Sequence, residues 1–110
     1  MTALEQASKN FEKNYTNRYQ QYGWVCNYNQ MKFTKISADK GIGAILLILQ
    51  AHPGLKFDEI RTYRQKAVAH ETVSGMVNAG LIKNIRGKGY FCTDLGLQAI
   101  AENLTCNAQQ

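Results

Sequence analysis

Paired cysteines are missing from this chain. Cys26, Cys92 and Cys106 are odd in number and form no C-x-x-C pair. That spacing supplies neither a disulfide framework nor a zinc site, and His52 and His70 do not make up the deficit. A reduced, cytoplasmic compartment is the simplest expectation. Proline occurs once, at Pro53, and there is no repeat or low-complexity tract, so disorder is not expected away from the ends. Long apolar runs are missing too. The longest, Ile42 to Leu49, includes a glycine and falls far short of the ~20 residues a membrane span needs. The opening MTALEQASKNFEK is too mixed in charge to be a signal peptide. Neither export by that route nor a place in the membrane is expected.

A catalytic constellation is absent as well. Serine, cysteine and histidine occur, but no spacing pairs a nucleophile with a base. The stretch RGKGY is rich in glycine yet lacks the strand, helix and GK[ST] of a phosphate loop. Asp58 and Glu59 suit the first turn of a helix better than a metal site. The chain is expected not to be an enzyme and to need no cofactor.

What is present is one domain's worth of sequence, 110 residues with a net charge of +5 and an isoelectric point of about 9.2. A basic surface attracts nucleic acid, an acidic protein or an anionic membrane. Residues 3–22 read as a helix, because Leu4, Ala7, Phe11, Tyr15, Tyr19 and Tyr22 recur at spacings of three and four. So aromatic a stripe must bury, either on its own domain or against a second copy. Gly23 can end this helix, and 24–36 reads as extended, a short hairpin with Asn29-Gln30 at its tip.

Ser37 can cap a second helix through GIGAILLILQAH, apolar over most of its circumference and therefore central to the core. His52-Pro53-Gly54 ends it. Lys56 to Tyr63 reads as a short third helix with Phe57, Ile60 and Tyr63 inward, followed by a tight polar turn at Arg64, Gln65 and Lys66. Ala67 to Ala79 reads as the next helix, with Ala69, Val73 and Met76 inward and Gly80 as its stop. A hairpin follows, with a two-residue loop at Gly87-Lys88. Thr93 caps a last helix made amphipathic by Leu97, Ile100, Ala101 and Leu104.

Three strings in this order resemble the winged helix-turn-helix superfamily, specifically the MarR- and PadR-like bacterial and phage regulators. LLILQAHPGLKFDEI is similar to their first helix, "HPG" break and second-helix start. MVNAGLI is similar to the "L-E-E-A-G-L-I" that closes a recognition helix, and GYFCTDLGLQAI to the return strand and the "L-T-x-x-G" helix start. The likeness covers about 37–104. It implies a mainly α fold with a small β-hairpin, a winged-helix domain over 37–104 behind an N-terminal helix and extended segment over 1–36, and a flexible tail at 105–110. The N-terminal 36 residues carry no resemblance.

The sequence departs from the family pattern where recognition is concentrated. Val68, Ala69, His70 and Glu71 stand where members often have "T-V-S-R", and Ser74 and Gly75 replace positions often basic. Matching Thr72-Val73-Ser74 to that motif instead shortens the helix by about one turn; the first alignment is preferred because it keeps the helix long enough to reach a groove.

The resemblance implies double-stranded DNA as partner, with the third helix of the motif in the major groove and the wing on the backbone. The candidate DNA-binding residues are then Arg64, Gln65, Lys66, His70, Glu71 and Ser74 around the helix, and Lys83, Arg86 and Lys88 on the wing. Between Lys56 and Lys88 these cations and Arg61 outnumber Asp58, Glu59 and Glu71. A sequence-specific transcriptional regulator, dimeric through its N-terminal helix, is the first expectation. The alternative is a winged-helix protein-interaction module, favoured by Glu71 and the missing recognition arginines.

Overall fold

A computed structural model describes residues 1–19 (backbone alone for 15–19), 36, 38, 41–65, 68 and 70–104. The elements in chain order are helix α1 (Ala3–Tyr19), α2 (Gly41–Ala51), α3 (Phe57–Arg64), α4 (His70–Asn78), strands β1 (Ile82–Ile85) and β2 (Gly89–Cys92), and α5 (Asp94–Asn103). The protein is mainly helical, with one small antiparallel hairpin.

Helix α1 starts on a reciprocal cap. The Glu5 amide donates to Thr2 Oγ1 at 3.2 Å, and the Thr2 amide donates to Glu5 Oε1 at 3.3 Å. A second carboxylate reaches this end from α5, where Glu102 Oε1 accepts the Ala3 amide at 2.8 Å. Leu4, Ala7 and Phe11 are buried in the core that also holds Ile45, Leu46, Leu49, Ile60, Val73, Met76, Leu81, Ile82 and Ile100. The described half of the aromatic stripe is thus covered by this chain's own α4 and α5, without a second copy. The side chains of Tyr15, Tyr19 and Tyr22 lie outside the described residues, as do the expected hairpin around Asn29-Gln30, the Ser37 cap and the tail at 105–110.

The expected burial of α2 holds, although the helix starts at Gly41 and not directly after Ser37. It packs against α3, α4, α5 and β2, as its nearly all-round apolar surface requires. In α3, Ile60 is fully buried and Phe57 half-buried, but Tyr63 is 51% exposed; its ring instead stacks on His52, centroids 4.4 Å apart. In α5, Ala99 and Ile100 face inward, as does Leu104 at its C-cap, whereas Leu97 and Ala101 face solvent. Leu97 lies about 60° from Ile100 around the helix, on the side away from buried Gly96 and Ala99, so it sits at the edge of the buried stripe.

Helix α4 is shorter than its apolar pattern suggests. It begins at His70 rather than Ala67, and half-buried Val68 packs on the core as non-helical chain. Positions 67–69 offer no capping side chain, being Ala, Val and Ala. Length therefore no longer favours one alignment of the resemblance over the other.

The hairpin pairs Ile82 with Cys92 and Ile85 with Gly89. Its loop is Arg86-Gly87-Lys88, three residues rather than two, closed by the Lys88 amide on the Ile85 carbonyl at 2.8 Å. The hairpin also binds the chain between α2 and α3. Leu55 forms a β-bridge with Tyr90, with Gly54 N–H to Tyr90 O at 2.9 Å and Tyr90 N–H to Leu55 O at 2.8 Å. Gly89 makes this possible: at φ 98°, a Cβ there would strike the Gly54 carbonyl oxygen and come within 2.7 Å of Leu55 O.

Two outcomes are expected. Gly89→Ala lowers unfolding free energy by more than about 1 kcal/mol in urea titration; an unchanged midpoint contradicts the close approach. The second concerns acid. The bonds from Thr2 hold the Glu5 carboxyl below its ordinary value of 4.5, and the Ala3 amide, then Gln98, do the same for Glu102. A lowered folded value means stability that is complete above about pH 4.5 and is lost as pH falls through the folded value. Glu5→Gln with Glu102→Gln is expected to lower the melting temperature at pH 7 and to flatten its loss below pH 4.5.

Candidate nucleic-acid interface

The candidate residues fall on three consecutive pieces of chain. The first is the turn out of α3. Arg64, half-buried, is the last helical residue, and exposed Gln65 follows in the left-handed region at φ 57°, ψ 22°, with its amide on the Arg61 carbonyl at 2.9 Å. Gln65 is the sole non-glycine residue at positive φ among those described. Lys66 lies outside the described residues.

The second piece is α4. His70 and Glu71 are exposed at its start and Ser74 is half-buried one turn on. His70 does not project freely: its ring stacks on Phe57, centroids 3.9 Å apart and planes 11° from parallel. That contact ties the start of α4 to the start of α3. It leaves one ring face and the ring edges for a partner. Helix α4 carries Glu71 and no lysine or arginine, so its own charge does not draw a polyanion.

The third piece is the hairpin. Lys83, Arg86 and Lys88 are all exposed, and no acid occurs between Glu71 and Asp94. Among the described residues the one ion pair is Arg61 with Asp58 at 3.9 Å, both exposed, and such pairs are worth little. The hairpin cations therefore keep their charge available. Their base is rigid, because β2 is bonded to β1 on one side and to Leu55 on the other.

Nucleophile chemistry finds no support at Cys92. The thiol is half-buried, donates to the Leu46 carbonyl at 3.4 Å, and is pushed up to about 11 by burial. At neutral pH it is a thiol rather than a thiolate. No group of three or more His, Cys, Asp or Glu among the described residues is placed to hold a metal.

The Phe57–His70 stack and the Leu55 bridge were not visible as patterns in sequence. The first joins residues of two helices, and the second rests on one apolar residue between two helices. The Thr2–Glu5 cap did have a signal, the T-x-x-E spacing.

No protein-family model matches the chain, and no curated protein or solved structure matches it significantly.

Gln65 offers a clean separation of backbone from side chain. Glycine tolerates its left-handed conformation without the Cβ penalty. Gln65→Gly is expected to raise stability by about 1 kcal/mol in thermal unfolding. Loss of stability would contradict the turn geometry.

Proposed function

We propose that this chain is a winged-helix protein that binds double-stranded DNA, and that it serves as a sequence-specific transcriptional regulator. In this reading α3, the turn at Gln65 and α4 form the helix-turn-helix. The Leu55 segment, β1 and β2 form the sheet, and residues 86–88 are the tip of the wing. Helix α4 enters the major groove and the wing lies on the phosphate backbone.

The observation that carries the reading is the hairpin tip: exposed Arg86 and Lys88 on a loop whose base is bonded into the domain. Cations held on a rigid support meet phosphate with little ordering cost. Residues Gln65, His70 and Ser74 then face base edges. The amide of Gln65 suits adenine, and Glu71 can accept from the N4 amino group of cytosine. A dimer is not required to cover α1 over residues 3–11, so the proposal is made for the single chain.

A second reading has its own observation. Helix α4 presents Glu71 and no cation, which suits a protein partner better than phosphate. In that case the same surface is a protein-interaction module.

Salt dependence separates the two. Each phosphate contact lowers the logarithm of affinity as salt rises, with a slope near −0.9 per contact. Binding to random-sequence duplex should therefore fall steeply with salt. Arg86→Ala with Lys88→Ala should weaken it for all sequences and flatten the slope by about two units. Unchanged affinity and slope in the double variant, or no binding by the parent chain, would overturn the DNA reading.

A further inference from the structure

A helix ends with four carbonyls that have no partner inside it. For α4 these are Met76, Val77, Asn78 and Ala79, and two devices satisfy them, two carbonyls each. The chain turns at Gly80, φ 81°, and folds its own amides back: Leu81 N–H to Met76 O and Gly80 N–H to Val77 O, both at 3.0 Å. This is the paired bond of a Schellman turn. The other two carbonyls are taken by α1. Asn14 Nδ2 donates to Asn78 O at 2.6 Å, and Asn10 Nδ2 donates to Ala79 O at 3.0 Å. One turn earlier on α1, Gln6 Nε2 donates to Asn10 Oδ1 at 2.9 Å, which aims the Asn10 amide group at α4. The next carbonyl, Gly80 O, accepts from the Thr93 hydroxyl, which in turn caps α5.

From this accounting we infer that α1 is a positioning element for α4, acting through Asn10 and Asn14. The inference rests on the reading of α4 as the helix offered to DNA. Apolar packing of Leu4, Ala7 and Phe11 holds α1 to the core but is non-directional. The two amide bonds are directional and lie at the end of α4 where it passes into β1. They fix the helix and the root of the hairpin together, so that the base-reading face and the phosphate-binding tip keep one relative placement. The fit is close: a Cβ on Gly80 would lie 3.2 Å from Asn10 Nδ2. Neither asparagine belongs to the surface that would meet DNA.

The test uses the full chain and the variant Asn10→Ala with Asn14→Ala. Glu12→Ala, on the exposed side of α1, is the control. The probes are a duplex selected from a random pool by the parent chain, and random-sequence duplex. Measurements are made well below the melting temperature of each variant. The positioning role expects the preference for the selected duplex over random duplex to fall roughly tenfold. Random-duplex affinity and its salt slope, set by Arg86 and Lys88, should stay unchanged. Amide hydrogen exchange should quicken at 76–81 and not at 45–49. A merely structural role leaves the preference intact, and that result would overturn the inference. If the parent chain selects no sequence, the DNA reading fails separately. The exchange measurement then decides the positioning role: quickening confined to the end of α4 supports it, and unchanged or uniform exchange overturns it.

Discussion

The end of α4 is the constraint on which the rest of this structure hangs. Within a few residues the chain must stop a helix, reverse at Gly80 and enter β1, with Asn78, Ala79, Leu81 and Ile82 all buried. Buried carbonyls without partners cost about 1–3 kcal/mol each, so donors from α1 and from Thr93, the cap of α5, complete what the turn's own amides begin. That requirement makes α1 part of the same body as the later helices. It also explains why a polar row, Gln6, Asn10 and Asn14, lies beside an apolar stripe on one helix: the stripe supplies adhesion and the row supplies direction. One group stays unmatched, since Asn78 Nδ2 has no partner among the described residues.

A second junction holds the hairpin. Leu55 pairs with Tyr90, and Gly89 admits the backbone of residues 54–55 against it. The break at His52-Pro53-Gly54 therefore does more than end α2. It delivers Leu55 to a single β-bridge on the β2 side of the two-stranded sheet. The two junctions leave the basic loop at 86–88 exposed on a braced support, with the exposed start of α4 earlier in the same connected unit. On this arrangement the proposed division of labour rests, with charge on the hairpin and shape and hydrogen bonding on the helix.

Much of this architecture was legible from residue patterns. The all-round apolar surface of α2, the Gly80 stop and the Thr93 cap each follow from local rules and are present in the structure. What was not legible depends on contacts between distant parts of the chain. The helical period placed Tyr63 and Leu97 inward, but period alone gives a face and not its width, and both residues lie beyond what the core covers. The spacing of Leu4, Ala7 and Phe11 showed a buried face without showing what covers it. The candidate site was legible as charge at Lys83, Arg86 and Lys88, since exposed cations without neighbouring acids can be read directly. The stack of His70 on Phe57 and the reach of Asn10 and Asn14 to α4 were not, because no local spacing encodes a bond across 64 or 69 residues.

The proposal places duplex DNA against the turn after α3, the start of α4 and the hairpin tip. Mapping amide chemical shifts of the isotope-labelled chain during titration with duplex DNA tests it most directly. The largest changes are expected at Arg64, Gln65, His70, Glu71, Ser74, Lys83, Arg86 and Lys88, fading as salt is added. Changes confined to α5, or no changes at low salt, would contradict it.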